Sequence, residues 1–107
     1  MVIVPLSAIP NQKVSIRLEG ALFDLTIRTA RNLMAVTIAK DGKPVVSGQR
    51  CLPDTPLIPY RYLEGLTGNF YFFTAKGEYP HYSRFTGTDE LVYATASELE
   101  VLRNGNA

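Results

Sequence analysis

The side chains that could perform acid–base or nucleophilic chemistry are few in this sequence. The single histidine, His81, stands in the segment YPHYS among tyrosines and a proline, a context more typical of a loop residue than of a general base or a metal ligand. The single cysteine, Cys51, follows Arg50, which would lower its thiol pKa a little. With one histidine in the chain as a partner, a Cys–His nucleophile is disfavoured, and we expect a buried structural thiol.

Metal and cofactor sites are not predicted either. Asp89 and Glu90 are adjacent, so in a strand they would point to opposite faces, and we interpret them as the solvated start of a strand. The glycines mark turns and form neither a Walker loop nor a dinucleotide fingerprint. We therefore expect no catalytic, cofactor-binding or metal-binding residues and a protein that is not an enzyme. A small enzyme or ligand-binding barrel is the least favoured hypothesis.

A dense run of aromatic residues occupies positions 60–85. Its members are Tyr60, Tyr62, Phe70, Tyr71, Phe72, Phe73, Tyr79, Tyr82 and Phe85, with Arg61, Lys76 and Arg84 among them. On an oligonucleotide-binding barrel, exposed aromatic rings stack on bases and cations hold phosphates, so one alternative hypothesis is a single-stranded nucleic-acid-binding protein. The other interpretation is that Phe70 and Phe72, or Tyr71 and Phe73, fill the core. The opposite face of that strand would then be covered by another protein, because tyrosine is favoured at interfaces.

The bulk properties limit the classes of partner. The chain has 107 residues, which suits one domain, and a net charge of +1. A balanced charge argues against binding duplex nucleic acid or an anionic membrane surface. The start MVIVPLSAIP lacks the basic region and unbroken apolar run of a signal peptide, and no stretch approaches the ~18 apolar residues of a membrane span.

Alternating apolar residues predict a mostly β fold, a small antiparallel barrel or sandwich of about six strands. Turns are expected at Gly20-Ala21, at 30–32 and at Asp41-Gly42. Residues 51–68 and 77–90 are expected to be irregular connections. A short C-terminal helix over 98–103 would be capped by Ser97 with Glu100 and closed by Asn104-Gly105. The predicted strands are residues 13–20, 22–29, 33–39, 44–49, 69–75 and 91–95.

Residues 1–12 are predicted to be an extended N-terminal arm, and residues 13–107 a single β domain. Proline favours extended backbone around it and cannot donate to a β ladder, so these residues are expected to be an arm or an edge rather than a central strand. Because residues 4–12 carry no charged side chain, the arm is expected to add as a strap to the sheet edge of a neighbouring subunit. In the alternative interpretation, the arm folds back over an edge of its own domain. The expected roles are restriction of the backbone by Pro5 and Pro10, apolar anchoring by Leu6 and Ile9, and hydrogen bonds to backbone from Asn11 and Gln12.

Three stretches in this order resemble one known family. They are IVPLSAIPNQ followed by VSIRLEG, then DGKPVVSGQRCLPDTPLIPYRYLEGLTGNFYFF, then GTDELVYAT. Together they are similar to the baseplate plug family of contractile-tailed bacteriophages, with its N-terminal PLS-[AI]-x-P-N-Q signature and its closing Leu-Val-Tyr strand.

The resemblance implies a non-enzymatic structural protein of the virion tail baseplate, present in the host cytoplasm during assembly. Such a plug would sit near the tail axis and join the tail tube to the hub and spike, with the sheath initiator as a further neighbour. Several copies would form a threefold or sixfold ring. The expected interface residues are Pro5, Leu6, Ile9, Pro10, Asn11, Gln12, Tyr60, Tyr62, Tyr71, Phe73, Tyr79 and Tyr82.

Overall fold

The strands form two antiparallel sheets that pack face to face. A computed structural model describes residues 1–31, 33–65 and 67–104, without the side chains of Arg61 and Asn104. The strands are β1 (Val2–Val4), β2 (Gln12–Leu18), β3 (Ala21–Ala30), β4 (Leu33–Lys40), β5 (Lys43–Arg50), β6 (Asn69–Phe73) and β7 (Glu90–Ala94). The helices are α1 (Arg61–Glu64) and α2 (Ala96–Asn104), and single 3₁₀ turns cover Ala75–Gly77 and Tyr82–Arg84.

One sheet has the order β2-β3-β4-β5 and the other the order β1-β7-β6. The predicted mostly β fold with a C-terminal helix is confirmed, and of the two architectures the sandwich is correct and the closed barrel is wrong.

The four-stranded sheet is the meander that the alternating pattern predicts. In its register Ile16 lies opposite Phe23, and Leu25 lies opposite Ile38, so alternate apolar residues share the inner face. The first reversal falls one residue earlier than predicted, at Glu19 and Gly20, which both have positive φ. The predicted turn at Asp41-Gly42 is confirmed, also with positive φ at both residues. Of the predicted turn at 30–32, residue 30 belongs to β3, and residue 32 lies outside the described residues.

The three-stranded sheet joins the two ends of the chain. Strand β1 pairs antiparallel with β7, with Val2 opposite Tyr93 and Val4 opposite Leu91. Residues 2–4 therefore cover an edge of their own domain, as the alternative interpretation of the arm has it, and bring the strands to seven. At the opposite edge of this sheet, the segment between β5 and β6 runs along β6. The amides of Asp54 and Leu57 in this segment donate to carbonyls of β6 at 2.8 and 2.9 Å.

Large apolar side chains from both sheets fill the core. Phe23 of the larger sheet meets Phe70 edge to face at a ring-centroid distance of 5.2 Å, and Phe70 meets Tyr93 at 4.9 Å. Phe72 stacks on Phe85 at 5.6 Å. Such pairs contribute roughly 1 kcal/mol each beyond the burial of their area. Three residues of the aromatic run, Phe70, Phe72 and Phe85, are thus part of the core, and the pair of Phe70 with Phe23 joins the two sheets.

Both helices differ from the sequence-based expectation. Residues 61–64 form one helical turn inside a connection predicted to be irregular. Helix α2 begins before its predicted start, and its capping box is Thr95 with Glu98 rather than Ser97 with Glu100: the Glu98 amide donates to Thr95 Oγ1 at 3.2 Å, and the Thr95 amide to Glu98 Oε1 at 3.0 Å. The predicted closure at 104–105 extends outside the described residues. None of the described helices is long and apolar enough to cross a membrane.

Candidate interaction surfaces

The cysteine and the histidine, which were considered above as possible catalytic residues, make structural contacts. Cys51 is buried, and burial raises the pKa of its thiol to about 12, so the predicted structural thiol is confirmed. His81 accepts a hydrogen bond at Nδ1 from the amide of Ser83 at 3.2 Å and stacks on Tyr82 at 4.4 Å; its ring thus caps the 3₁₀ turn that follows. Among the described residues, no three His, Cys, Asp or Glu side chains converge as a metal site would require.

Asp89 corrects the prediction of a solvated strand start. Its side chain has no exposed area, and both of its carboxylate oxygens accept from Arg84 Nε, at 3.2 and 3.1 Å. Oδ2 also accepts from the amide of His81 at 3.0 Å. Only Glu90 is exposed. The buried carboxylate therefore organises the loop before β7, where Arg84 also donates to the carbonyl of Tyr79 at 2.6 Å. The ring of Tyr79 is exposed.

Residues 5–11 form a turn, and the side chains of Asn11 and Gln12 hold it in place. Gln12 Nε2 donates to the carbonyl of Ser7 at 2.7 Å, and Gln12 Oε1 accepts from the Ser7 amide at 3.0 Å. Asn11 Oδ1 accepts from the amide of Thr29 at 3.1 Å. The predicted hydrogen bonds of Asn11 and Gln12 to backbone are therefore present. Of the two predicted anchors, Leu6 packs against the core of its own chain, whereas Ile9 is exposed.

The exposed aromatic residues separate into distinct surfaces. Tyr60 and Tyr62 stack on each other at 5.7 Å around the short helix α1, and Tyr62 is 79% exposed. Tyr71 and Phe73 stack at 6.3 Å on the outer face of β6, and burial raises the pKa of Tyr71. Tyr82 packs against the core. Among the described residues these rings form two pairs on separate elements, and the fold is a sandwich rather than the closed barrel on which the nucleic-acid hypothesis was based.

An ionic network around the buried Glu64 connects α1 and α2 to β6. Both carboxylate oxygens of Glu64 accept from the Arg103 guanidinium, at 2.9 and 2.7 Å, and Oε2 also accepts from Asn69 Nδ2 at 2.6 Å. The hydrogen bond to Glu64 raises the pKa of Arg103. Asn69 also exchanges two hydrogen bonds with the backbone of Ile58. The network fixes α2 across the outer face of the three-stranded sheet.

A second polar junction joins the two sheets. The carboxylate of Glu19 accepts from the hydroxyl of Tyr93, from the amide of Gly68 at 3.0 Å and from the amide of Ala96 at 3.1 Å. The Gly68 amide also donates to Tyr93 Oη at 2.7 Å. One side chain at the first reversal thus connects the larger sheet to β6, β7 and the start of α2.

The sequence analysis missed an apolar surface that the two ends of the chain form together. Met1, Val101 and Leu102 line a groove between the N-terminus and α2 and are exposed, as is Ile3 on the outer face of β1. Glu98 borders the groove, and its carboxylate accepts from the N-terminal amine at 2.6 Å, a contact that lowers the pKa of Glu98. Sequence spacing could not identify this surface because its two halves lie about 95 residues apart.

The fold and its surfaces define a small β-sandwich protein with exposed apolar and tyrosine-bearing contact areas. Residues 1–96 match the family model of cyanophage baseplate Pam3 plug gp18. The chain therefore belongs to this family of phage baseplate plugs, and the resemblance found in the sequence is confirmed. No curated protein matches the sequence. The matched segment ends at the first residue of α2, so nearly all of that helix lies beyond it.

Proposed function

We propose that this chain is a structural, non-enzymatic part of the virion that sits near the tail axis and joins the tail tube to the hub and spike. Copies would form a threefold or sixfold ring in the baseplate and contact the sheath initiator at its periphery. The protein would wait in the host cytoplasm until tails assemble. The observation that carries the proposal is the family match over residues 1–96.

The exposed surfaces support a role in assembly. Tyr60 and Tyr62 present a stacked pair of large rings to solvent, and Ile9 is exposed at an uncharged turn that hydrogen bonds hold in shape. Rigid aromatic and aliphatic groups of this kind are typical anchors of protein interfaces because they lose little conformational entropy on binding. We infer that these two surfaces, together with Phe73 and Tyr79, contact neighbouring baseplate proteins.

The test is co-expression with the tail proteins encoded beside this one, purification through a C-terminal tag and measurement of the eluted mass by light scattering. We expect a stoichiometric complex whose mass gives the copy number. A chain that elutes alone in the presence of all its neighbours would overturn the proposal.

Two variants make the test specific for the surfaces. Tyr62→Ser and Ile9→Asp each change an exposed side chain and leave the core intact, so we expect folded protein that is recovered with less partner. Arg28→Ser is the matched control, because Arg28 is also exposed but was not among the predicted interface residues. Equal recovery of partner by all three variants would show that these surfaces are not the interface.

A further inference from the structure

The four sheet edges of this domain are protected very unequally. The edge of β6 is covered by its own chain, through the amides of Asp54 and Leu57. The edge strand β2 carries Lys13 and Arg17, which are exposed, and charges on an edge strand discourage pairing with another chain. The edge strand β5 also carries a charge, because it begins with Lys43.

Strand β1 has neither a covering segment nor a charged side chain, and its pairing with another chain is limited only by its length of three residues and by Pro5 after it. It consists of Val2, Ile3 and Val4, carries no charged side chain, and lies at the edge of its sheet. No residue in the described ranges hydrogen-bonds to its outer side. An uncharged open edge of this kind is a template for an added strand.

The side chains beside this edge are also apolar. Ile3 is 61% exposed and Val101 is 66% exposed, and Met1 and Leu102 complete the surface. The one carboxylate at the groove, Glu98, is paired with the N-terminal amine at 2.6 Å. A second strand can therefore approach without meeting an unpaired charge, and we call Met1, Val2, Ile3, Val101 and Leu102 the terminal patch.

We propose that the terminal patch binds a second copy of itself, with β1 of each chain pairing antiparallel to β1 of the other. Strand β1 is itself short, uncharged and apolar, so a second copy of it can approach this edge without burying a charge. The triplet Val-Ile-Val reads the same in both directions, so a twofold axis at Ile3 places each valine opposite a valine. Pro5 cannot donate to a ladder and ends the pairing after Val4. The two three-stranded sheets then form one continuous six-stranded sheet.

This dimer belongs to the free protein rather than to the baseplate. A twofold contact uses the same patch on both subunits, and such a contact cannot repeat around a threefold or sixfold ring. The pairing covers the open edge before assembly and has to separate when copies enter a ring. It goes beyond the proposed function, because it is a property of the isolated chain and is tested without any tail protein.

The experiment is sedimentation velocity of the purified chain over a wide concentration range, with a C-terminal tag so that Met1 remains free. Intact mass confirms that Met1 is retained. We expect a concentration-dependent equilibrium between monomer and dimer. Ile3→Lys places two ammonium groups on the twofold axis, and we expect it to weaken the dimer by about tenfold or more. Leu33→Lys, a lysine at an exposed aliphatic residue outside the proposed contact surfaces, should leave the equilibrium unchanged.

A cross-link locates the contact. Directly opposed residues of antiparallel strands have Cβ atoms ~4.5–5.5 Å apart, close to the range that a disulfide spans. Because Cys51 is buried, Ile3→Cys provides the accessible thiol, and mild oxidation should give a covalent dimer, whereas Leu33→Cys, at an exposed residue outside the proposed contact surfaces, should not. A chain that remains monomeric at every concentration would overturn the proposal, and so would a dimer that Ile3→Lys does not weaken while circular dichroism shows the variant folded.

Discussion

The junction at Tyr93 offers the sharpest test of how the two sheets are held together. In Tyr93→Phe the ring stays in the core, but the hydroxyl that donates to Glu19 and accepts from Gly68 is lost. The Gly68 amide keeps its bond to Glu19 at 3.0 Å, so no buried donor is left unpaired. Of the two hydrogen bonds lost, only the one to the partly exposed Glu19 carboxylate leaves no substitute within the protein, so we expect a cost of about 1.5–2 kcal/mol. For a domain of this size that lowers Tm by roughly 8 °C.

The pH dependence of the same variant provides an independent check. Burial, reinforced by the hydrogen bond to Glu19, raises the pKa of Tyr93 above its ordinary value. The stabilisation is complete below the ordinary tyrosine pKa of about 10 and is lost as the pH rises through the folded-state pKa, because only the unfolded chain releases the proton in that window. We expect the urea unfolding free energy of the wild type to fall above pH ~10 more steeply than that of Tyr93→Phe.

The exposed Tyr62 provides the control for both measurements. Tyr62→Phe removes a hydroxyl at the surface and should change stability by less than about 0.5 kcal/mol. If Tyr93→Phe and Tyr62→Phe have the same unfolding free energy and the same alkaline slope, the junction does not stabilise the fold and the reasoning is refuted.

Three further predictions concern local packing, thiol burial and the helix cap. Gly68→Ala should destabilise by more than about 3 kcal/mol, measured by urea unfolding, because an added Cβ would lie 1.7 Å from the carbonyl oxygen of Ala94; near-wild-type stability would contradict this. Cys51 should react with a thiol reagent only as fast as the chain opens, since burial raises its pKa to about 12; rapid labelling of folded protein would disprove it. Thr95→Ala should lower the free energy of unfolding by about 1 kcal/mol and Ser97→Ala by less than about 0.5 kcal/mol, measured by thermal unfolding. A larger effect of Ser97→Ala would show that Ser97, as first predicted, caps the helix.

Alternation in the sequence was sufficient to predict the larger sheet, because each of its strands pairs with its neighbour in the chain. The registers of β2, β3 and β4 follow from Ile16, Phe23 and Ile38 sharing one face. Strand β1 could not be predicted in the same way. It has three residues, and its partner β7 lies about 90 residues away, so local pattern carries no information about the pairing.

The polar contacts of the candidate surfaces were predicted less well for a similar reason. Asp89 was expected in solvent because its partner Arg84 becomes a partner only when the loop folds. Thr95 has the same spacing to Glu98 as Ser97 has to Glu100, so spacing alone does not distinguish these two capping boxes. In the structure Glu98 pairs with both Thr95 and the N-terminal amine, which identifies Thr95 as the capping residue. The terminal patch depends on both chain ends meeting, which no local motif reports.

The pairing of β1 with β7 also sets an order of events during synthesis. The larger sheet is complete once residue 50 has left the ribosome, and it can fold while the rest of the chain is made. Strand β1 emerges first but has to wait for a partner about 90 residues later, which at ~5–20 residues per second is on the order of ten seconds. A chain that stops before β7 therefore exposes an unpaired apolar N-terminus, which is the kind of segment that chaperones and proteases recognise. The larger sheet can therefore form without β7, whereas closure of the smaller sheet has to wait until residues 90–94 are available to pair with β1.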